Sequence, residues 1–235
     1  MDIVGASALV TGAGRGIGRA VALALAREGA AVTLLARTAA EIEEVAAEIR
    51  RRGGRAAVHA GDVRDPAVAG KAVERARAEH GRLQVLVNNA GVGGHRPVAE
   101  TTDVEWDRIL ETNLGAVFRM TRAALPQLTA GGGHVFMISS LAGQNAIAGM
   151  AAYCASKAGL DHFTQCLMLE VRHQGVKVTT IAPGSVDTLF GGAPRGGDWM
   201  LVPDDIAGAV VHLLRTRDAA HLSRVEMRPS RPPGK

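Results

Sequence analysis

The chain is poor in aromatic residues and in cysteine. One tyrosine, two tryptophans and four phenylalanines make up 3% of its 235 residues. Single-stranded nucleic acid is bound by stacking bases on aromatic rings, and few platforms exist for that here. The net charge is +4, but basic residues are scattered among acidic ones, and the densest cluster is Arg224, Arg228, Arg231 and Lys235. No nucleic-acid partner is expected. Cys154 and Cys166 are the only cysteines. They fall on one predicted helix, where twelve residues separate them by about 18 Å, too far to bridge. A reducing, cytoplasmic setting is expected. No apolar run reaches the roughly 18 residues that cross a membrane. Met1, Asp2, Ile3 and Val4 carry no basic stretch followed by an apolar one, so no signal peptide is expected. The eight histidines show no H-E-x-x-H spacing, so no metal is expected, and they are placed at the surface or loosely buried. No G-x-S-x-G elbow is present, which argues against a serine hydrolase.

What the sequence does contain is a regular alternation. Short apolar runs at 6–10, 31–36, 56–60, 83–88, 135–139 and 176–182 read as buried strands, with a short seventh at 225–228. Between them lie segments of helical spacing at 16–28, 39–52, 65–80, 101–128, 150–173 and 203–214. Asp65-Pro66 supplies an N-cap followed by proline in the first turn. The helix at 101–128 is expected to bend near Pro126. Strands apolar on both faces, separated by amphipathic helices, imply a parallel sheet covered on both sides. The fold class is therefore α/β, a single doubly wound parallel sheet of about seven strands in one domain over 1–235. A short flap is expected at 189–203 and a Pro/Arg tail at 229–235.

The first strand runs into Thr11-Gly12-Ala13-Gly14-Arg15-Gly16-Ile17-Gly18 and then a helix. Glycines let backbone approach a pyrophosphate, and a helix N-terminus offers N–H groups to it. The generic G-x-G-x-x-G is not met, because Ile17 stands at its last position; the pattern is T-G-x-x-x-G-x-G. A tight strand–helix turn alone would also use these glycines. The second strand ends at Ala36-Arg37. A carboxylate there would bond the ribose 2′-hydroxyl of NAD; Ala36 has none, and Arg37 with Arg15 suits the 2′-phosphate of NADP.

Tyr153 is the only tyrosine, and Lys157 follows one helical turn later on the same face. A neighbouring ammonium favours the phenolate, which is expected to lower the tyrosine's pKa and suit it to acid–base work at an oxygen bound to carbon. Ser140 stands thirteen residues earlier, at the carboxyl end of the fifth strand, the edge where open parallel sheets bind ligands.

These motifs resemble the short-chain dehydrogenase/reductase family, in its branch of roughly 250 residues. The matching positions are Thr11-Gly12-x-x-x-Gly16-x-Gly18, Asp62-Val63, Asn88-Asn89-Ala90-Gly91, Asn113, Ser140, Tyr153-x-x-x-Lys157, and Pro183-Gly184 followed by Thr188. The resemblance implies a Rossmann-type fold and an NADP(H)-dependent exchange between a carbonyl and a secondary alcohol. It implies that the turn, including Gly14, Arg15 and Ile17, holds the cofactor phosphates. Asp62 and Val63 would hold adenine, and Asn89, Ala90 and Gly91 would lie along the cofactor. Pro183, Gly184, Val186 and Thr188 would border the nicotinamide. Ser140 would bond the substrate oxygen, Tyr153 would be the acid/base, and Lys157 would also bind the nicotinamide ribose. Asn113 would kink its helix and hold a water that links Lys157 to solvent.

The segment between Thr188 and Pro203 is short and glycine-rich (Gly191, Gly192, Gly196, Gly197), with Leu189, Phe190, Trp199 and Met200 as candidate apolar contacts. The ending Val225-Glu226-Met227-Arg228-Pro229 lacks the Gly-Gly turn usual in 3-oxoacyl reductases and looks more like 3-hydroxy acid dehydrogenases. Val117, Phe118, Leu167 and Met168 give the two long helices more apolar surface than a sheet face needs, so a homotetramer is expected, a dimer second. The alternative function is a cofactor-binding sensor or scaffold without turnover.

Overall fold

Successive side chains of a strand point to opposite faces, and here both faces are apolar. In β1 (Ser7–Thr11), Ala8 and Val10 enter one core while Leu9 enters the other. In β2 (Ala31–Ala36), Val32 and Leu34 oppose Leu35 in the same way. The computed structural model describes residues 1–190 and 197–231. The remaining strands are β3 (Arg55–Ala60), β4 (Leu83–Asn88), β5 (Gly133–Ile138), β6 (Val176–Pro183) and β7 (Arg224–Met227). All pair in parallel, in the order β3-β2-β1-β4-β5-β6-β7.

One face is covered by α1 (Gly16–Arg27), α2 (Ala39–Arg51) and α7 (Pro203–Arg215), and the other by α3 (Pro66–His80), α5 (Ala116–Thr129) and α6 (Ala151–Val171). The chain winds outward from β1 to β3, then crosses back to β4 and continues to β7. The reversal lies between the neighbouring β1 and β4. There the connections leave in opposite directions, and a crevice opens at the carboxyl edge. Among the described residues no helix is long and apolar enough to cross a membrane.

Local signals account for several boundaries. The Asp65 carboxylate accepts from Ala67 N, and Pro66 opens α3. Thr102 and Glu105 form a reciprocal capping box at α4 (Asp103–Leu110). The long helix expected at 101–128 is interrupted, and the irregularity lies at a π turn, Glu111–Gly115, whereas Pro126 is carried inside α5.

Two further expectations are corrected. Val117 and Leu167 are 5% and 4% exposed and belong to the core, because both point at the sheet. The outward residues are Phe118 and Leu169, 44% and 54% exposed, with Phe118 edge-on to Phe163 and beneath the guanidinium of Arg122. His134 is not a surface histidine. It lies in β5 at 3% exposure, stacks on Phe136 at 4.0 Å, and bonds Thr179 Oγ1 at 2.8 Å. Burial pushes its pKa down to about 3.

Candidate active site

The glycine turn is built by packing as much as by conformation. Gly16 has φ +54°, a left-handed value that favours glycine. A Cβ on Gly18 would lie 2.2 Å from Gly12 O and 2.5 Å from Asn89 Nδ2, so α1 can rest directly on the turn only without a side chain there. Thr11 Oγ1 accepts from the backbone N–H groups of Asn89 and Ala90, each at 2.9 Å. Asn89 Nδ2 donates to Thr11 O at 2.9 Å and to Gly12 O at 3.3 Å. The ends of β1 and β4 are thereby tied together. Thr11 and Gly18 stand behind the wall, whereas Gly12, Gly14, Arg15, Gly16 and Ile17 line the cleft with Asn89, Ala90 and Gly91.

The cleft measures about 580 Å³. At the turn, α1 begins without a side-chain cap and without an acidic residue in its first turn. Uncapped N–H groups at a helix start favour an anion. Arg15 and Arg37 both line this end, and among the described residues neither has an ion-pair partner. Such a terminus beside two unpaired guanidinium groups fits a phosphorylated ligand.

Asp62 and Val63 line the same end. The Arg64 guanidinium bonds Asp62 at 2.7–3.2 Å and holds its carboxyl below the usual range, with Arg37 adding to the effect. Sequence reasoning missed Arg64, although its spacing from Asp62 was visible. It also missed Glu41, against which a Cβ on Gly14 would collide at 2.7 Å, and Arg108 and Thr112, one turn apart beside Asn113. These depend on how α2 and α4 lie across the cleft.

Ser140, Tyr153 and Lys157 converge on the floor. Ser140 follows β5, and its Oγ accepts from Ala142 N at 3.1 Å, which leaves its proton available for donation. Lys157 is 5% exposed; its Nζ donates to Ile138 O at 2.8 Å and lies 5.8 Å from the Tyr153 ring centroid. The expected acidification of Tyr153 by this lysine does not hold. Burial pushes the phenol up, and the Ser140 hydroxyl pulls the other way. The lysine instead is the group driven toward neutrality: burial lowers it to about 8, opposed by Asp161.

Asn113 is fully buried and does not line the cleft. It sits in the π turn, where its Oδ1 accepts from Val92 N at 2.8 Å and its Nδ2 donates to Val92 O and Ser156 Oγ, each at 2.9 Å. Its amide is thus satisfied by protein groups. Asn88 turns inward as well, donating to Thr121 Oγ1 at 3.0 Å.

Pro183, Gly184, Val186 and Thr188 complete the wall after β6. Val186 bridges Leu201, with Asp187 N and Leu201 N donating across at 2.8 and 3.0 Å, so the base of the 189–203 segment is closed. Leu189 and Phe190 line the cleft, and the Phe190 ring lies 5.7 Å from that of Tyr153. Trp199 and Met200 are not among the lining residues. Gly191, Gly192 and Gly196 of the expected flap, and 232–235 of the tail, lie outside the described residues.

A doubly wound α/β protein with its cleft at the β1/β4 reversal, a glycine turn and a Ser–Tyr–Lys floor is thereby defined. The short chain dehydrogenase family model matches residues 6–194, and the chain belongs to that family of oxidoreductases. It is 42% identical over 181 residues to the "Probable oxidoreductase EphD" of Mycobacterium tuberculosis; the match covers 76% of this chain and only 31% of EphD. It is 38% identical over 189 residues to the Escherichia coli 3-oxoacyl-acyl-carrier-protein reductase FabG, covering 80% of this chain and 76% of FabG. Among solved structures, a metagenomic short-chain oxidoreductase in complex with NADP superposes with a TM-score of 0.87 at 38% identity, covering 98% of this chain and all of that one.

Proposed function

We propose that the chain is an NADPH-dependent oxidoreductase that interconverts a carbonyl and a secondary alcohol, with 3-oxoacyl or 3-hydroxy acid compounds as the substrate class. One observation carries this reading: the hydroxyls of Ser140 and Tyr153 and the buried ammonium of Lys157 share one cleft with an uncapped, glycine-walled helix start. The glycine turn would hold the pyrophosphate, and Arg15 with Arg37 the 2′-phosphate. Asp62 and Val63 would hold the adenine, with Asn89 to Gly91 alongside. Lys157 would reach the nicotinamide ribose, and Pro183, Gly184, Val186 and Thr188 the carboxamide end. The absence of a carboxylate at Ala36 favours NADPH over NADH, as does the NADP bound by the similar metagenomic structure.

When bound, the nicotinamide supplies or accepts the hydride. The protein's part is the proton and its placement. Ser140 donates its O–H to the substrate oxygen. Tyr153 is a phenol protonated at neutral pH like any tyrosine, and it is placed to give its proton to that oxygen during reduction. The Lys157 ammonium, 5.8 Å from the Tyr153 ring centroid, would offset part of the burial cost of the phenolate that remains, without bringing the phenol below its usual range. Asn113 positions this floor by clamping Val92 and Ser156.

The test is NADPH consumption with a panel of 3-oxo esters and ketones. Tyr153→Phe is expected to lower kcat by about 100- to 10,000-fold. An unchanged rate removes Tyr153 from this role. Tight NADPH binding with no turnover across the panel would favour the cofactor-binding sensor instead. The exposed Phe118 and Leu169 on α5 and α6 support association into a homotetramer; light scattering that shows a monomer at micromolar concentration would refute it.

A further inference from the structure

Asp161 lies on α6 one turn beyond Lys157, on the same face. It is 4% exposed, and its place is set from outside the helix. Arg224 Nη1, from β7, donates to Asp161 Oδ2 at 2.9 Å. Gly143, in the turn after Ser140, comes so close that a Cβ there would lie 2.8 Å from Asp161 Oδ2 and 3.1 Å from Lys157 O. The other carboxylate oxygen, Oδ1, is buried and accepts no hydrogen bond from the described residues. A carboxylate in that state is costly unless positive charge surrounds it. Arg224 is one such charge; Lys157, one turn back on the same face of α6 and without an ion-pair contact to Asp161, is the other cation on that face.

We propose that Asp161 is a positioning residue for Lys157: its carboxylate, shared with Arg224, holds the lysine as an ammonium and locks the Ser140 turn to the Tyr153–Lys157 helix. The assignment of work to Lys157 rests on the reaction proposed above.

The surroundings isolate this pair. From α6, Lys157 faces Tyr153 and Asp161; from β5 it meets the carbonyl of Ile138. The π turn contributes the neutral Asn113 and Leu114, and α4 contributes Arg108, whose guanidinium is turned to Gly93 O. At this level β6 offers the uncharged Thr180 and Ile181. Arg224 is also bonded to Glu226 at 3.3 Å, and Glu226 to Arg228 at 3.1 Å. Gln144, with its amide oriented to satisfy both neighbours, accepts from Arg224 at 2.9 Å and donates to Glu226 at 2.7 Å. Arg224 therefore reaches both α6 and the loop that carries Ser140. Burial lowers Lys157 to about 8, and Asp161 acts against that.

The test uses the cofactor-free protein with lysine labelled by 13C at Cε. The lysines are Lys71, Lys157, Lys177 and Lys235, few enough to follow one by one. In Asp161→Asn the Lys157 midpoint is expected to fall by about one pH unit, while the other lysines stay. In Arg224→Gln, which removes the competing cation, it is expected to rise. A merely structural tether would move neither. In Asp161→Asn, the alkaline limb of carbonyl reduction should also move to lower pH, with a rate loss of about tenfold on that side. An unchanged Lys157 midpoint in Asp161→Asn overturns the proposal. Should that variant not fold, an unchanged or lowered midpoint in Arg224→Gln does so. If the wild type reduces no carbonyl compound while the midpoints move as stated, the reaction reading fails and the coupling stands.

Discussion

Replacing His134 by Gln should flatten part of the acid sensitivity of the fold. His134 Nε2 lies 2.8 Å from Thr179 Oγ1, whose own proton goes to Leu222 O at 2.7 Å. The ring nitrogen is therefore the donor in a neutral imidazole. Burial, reinforced by His221 and Lys177, takes the pKa from 6.5 to about 3. The unfolded chain binds a proton as pH falls below 6.5, whereas the folded chain refuses it until about 3. Stability from this group is complete above the upper value and declines as pH falls between the two. From pH 7.5 to pH 5.0 the loss works out at about 2 kcal/mol. His59 and His80 are also lowered by burial and act in the same direction, but both proteins contain them, so the difference isolates His134. The assay is urea unfolding of wild type and His134→Gln at both pH values, cofactor-free and at one protein concentration, because association shifts apparent stability. The wild type should lose about 2 kcal/mol more than the variant. Equal losses would refute the reasoning, whatever the absolute stabilities.

Gly18→Ala places a methyl 2.2 Å from Gly12 O. It should cost about 1–3 kcal/mol, read as a lower melting temperature, together with weaker NADPH binding; a wild-type melting curve would show that the turn yields freely. Arg37→Ala should weaken NADPH by about 10- to 100-fold and leave NADH nearly unchanged in calorimetric titrations. Equal losses for both cofactors would remove Arg37 from the 2′-phosphate.

Much of the architecture was legible locally. The alternation of two-faced strands with amphipathic helices follows from residue period, and the start of α3 from Asp65-Pro66. The turn at 11–18 and the Tyr153–Lys157 spacing were readable because each lies within a few consecutive residues. The family match over 6–194 spans both segments. Harder to read were residues whose meaning depends on what lies across from them. Thr11 and Gly18 carry the motif yet face away from the cleft, since β4 and Asn89 occupy that side. Asn113 is consumed by Val92 and Ser156, partners distant in the chain.

The sequence by itself determined the order of strands and helices, and it marked the glycine turn proposed to receive a phosphate and the side chains proposed to carry proton chemistry. Only the tertiary structure decided their ionisation. Tyr153 is itself enclosed, so burial sets the phenol's pKa upward where a helical neighbour alone would lower it. Asp161 meets Arg224 across 63 residues, and His134 disappears beneath β6 and its neighbours. Desolvation and charge act through space, and the spacing of residues along a chain does not report what the folded layers place against them.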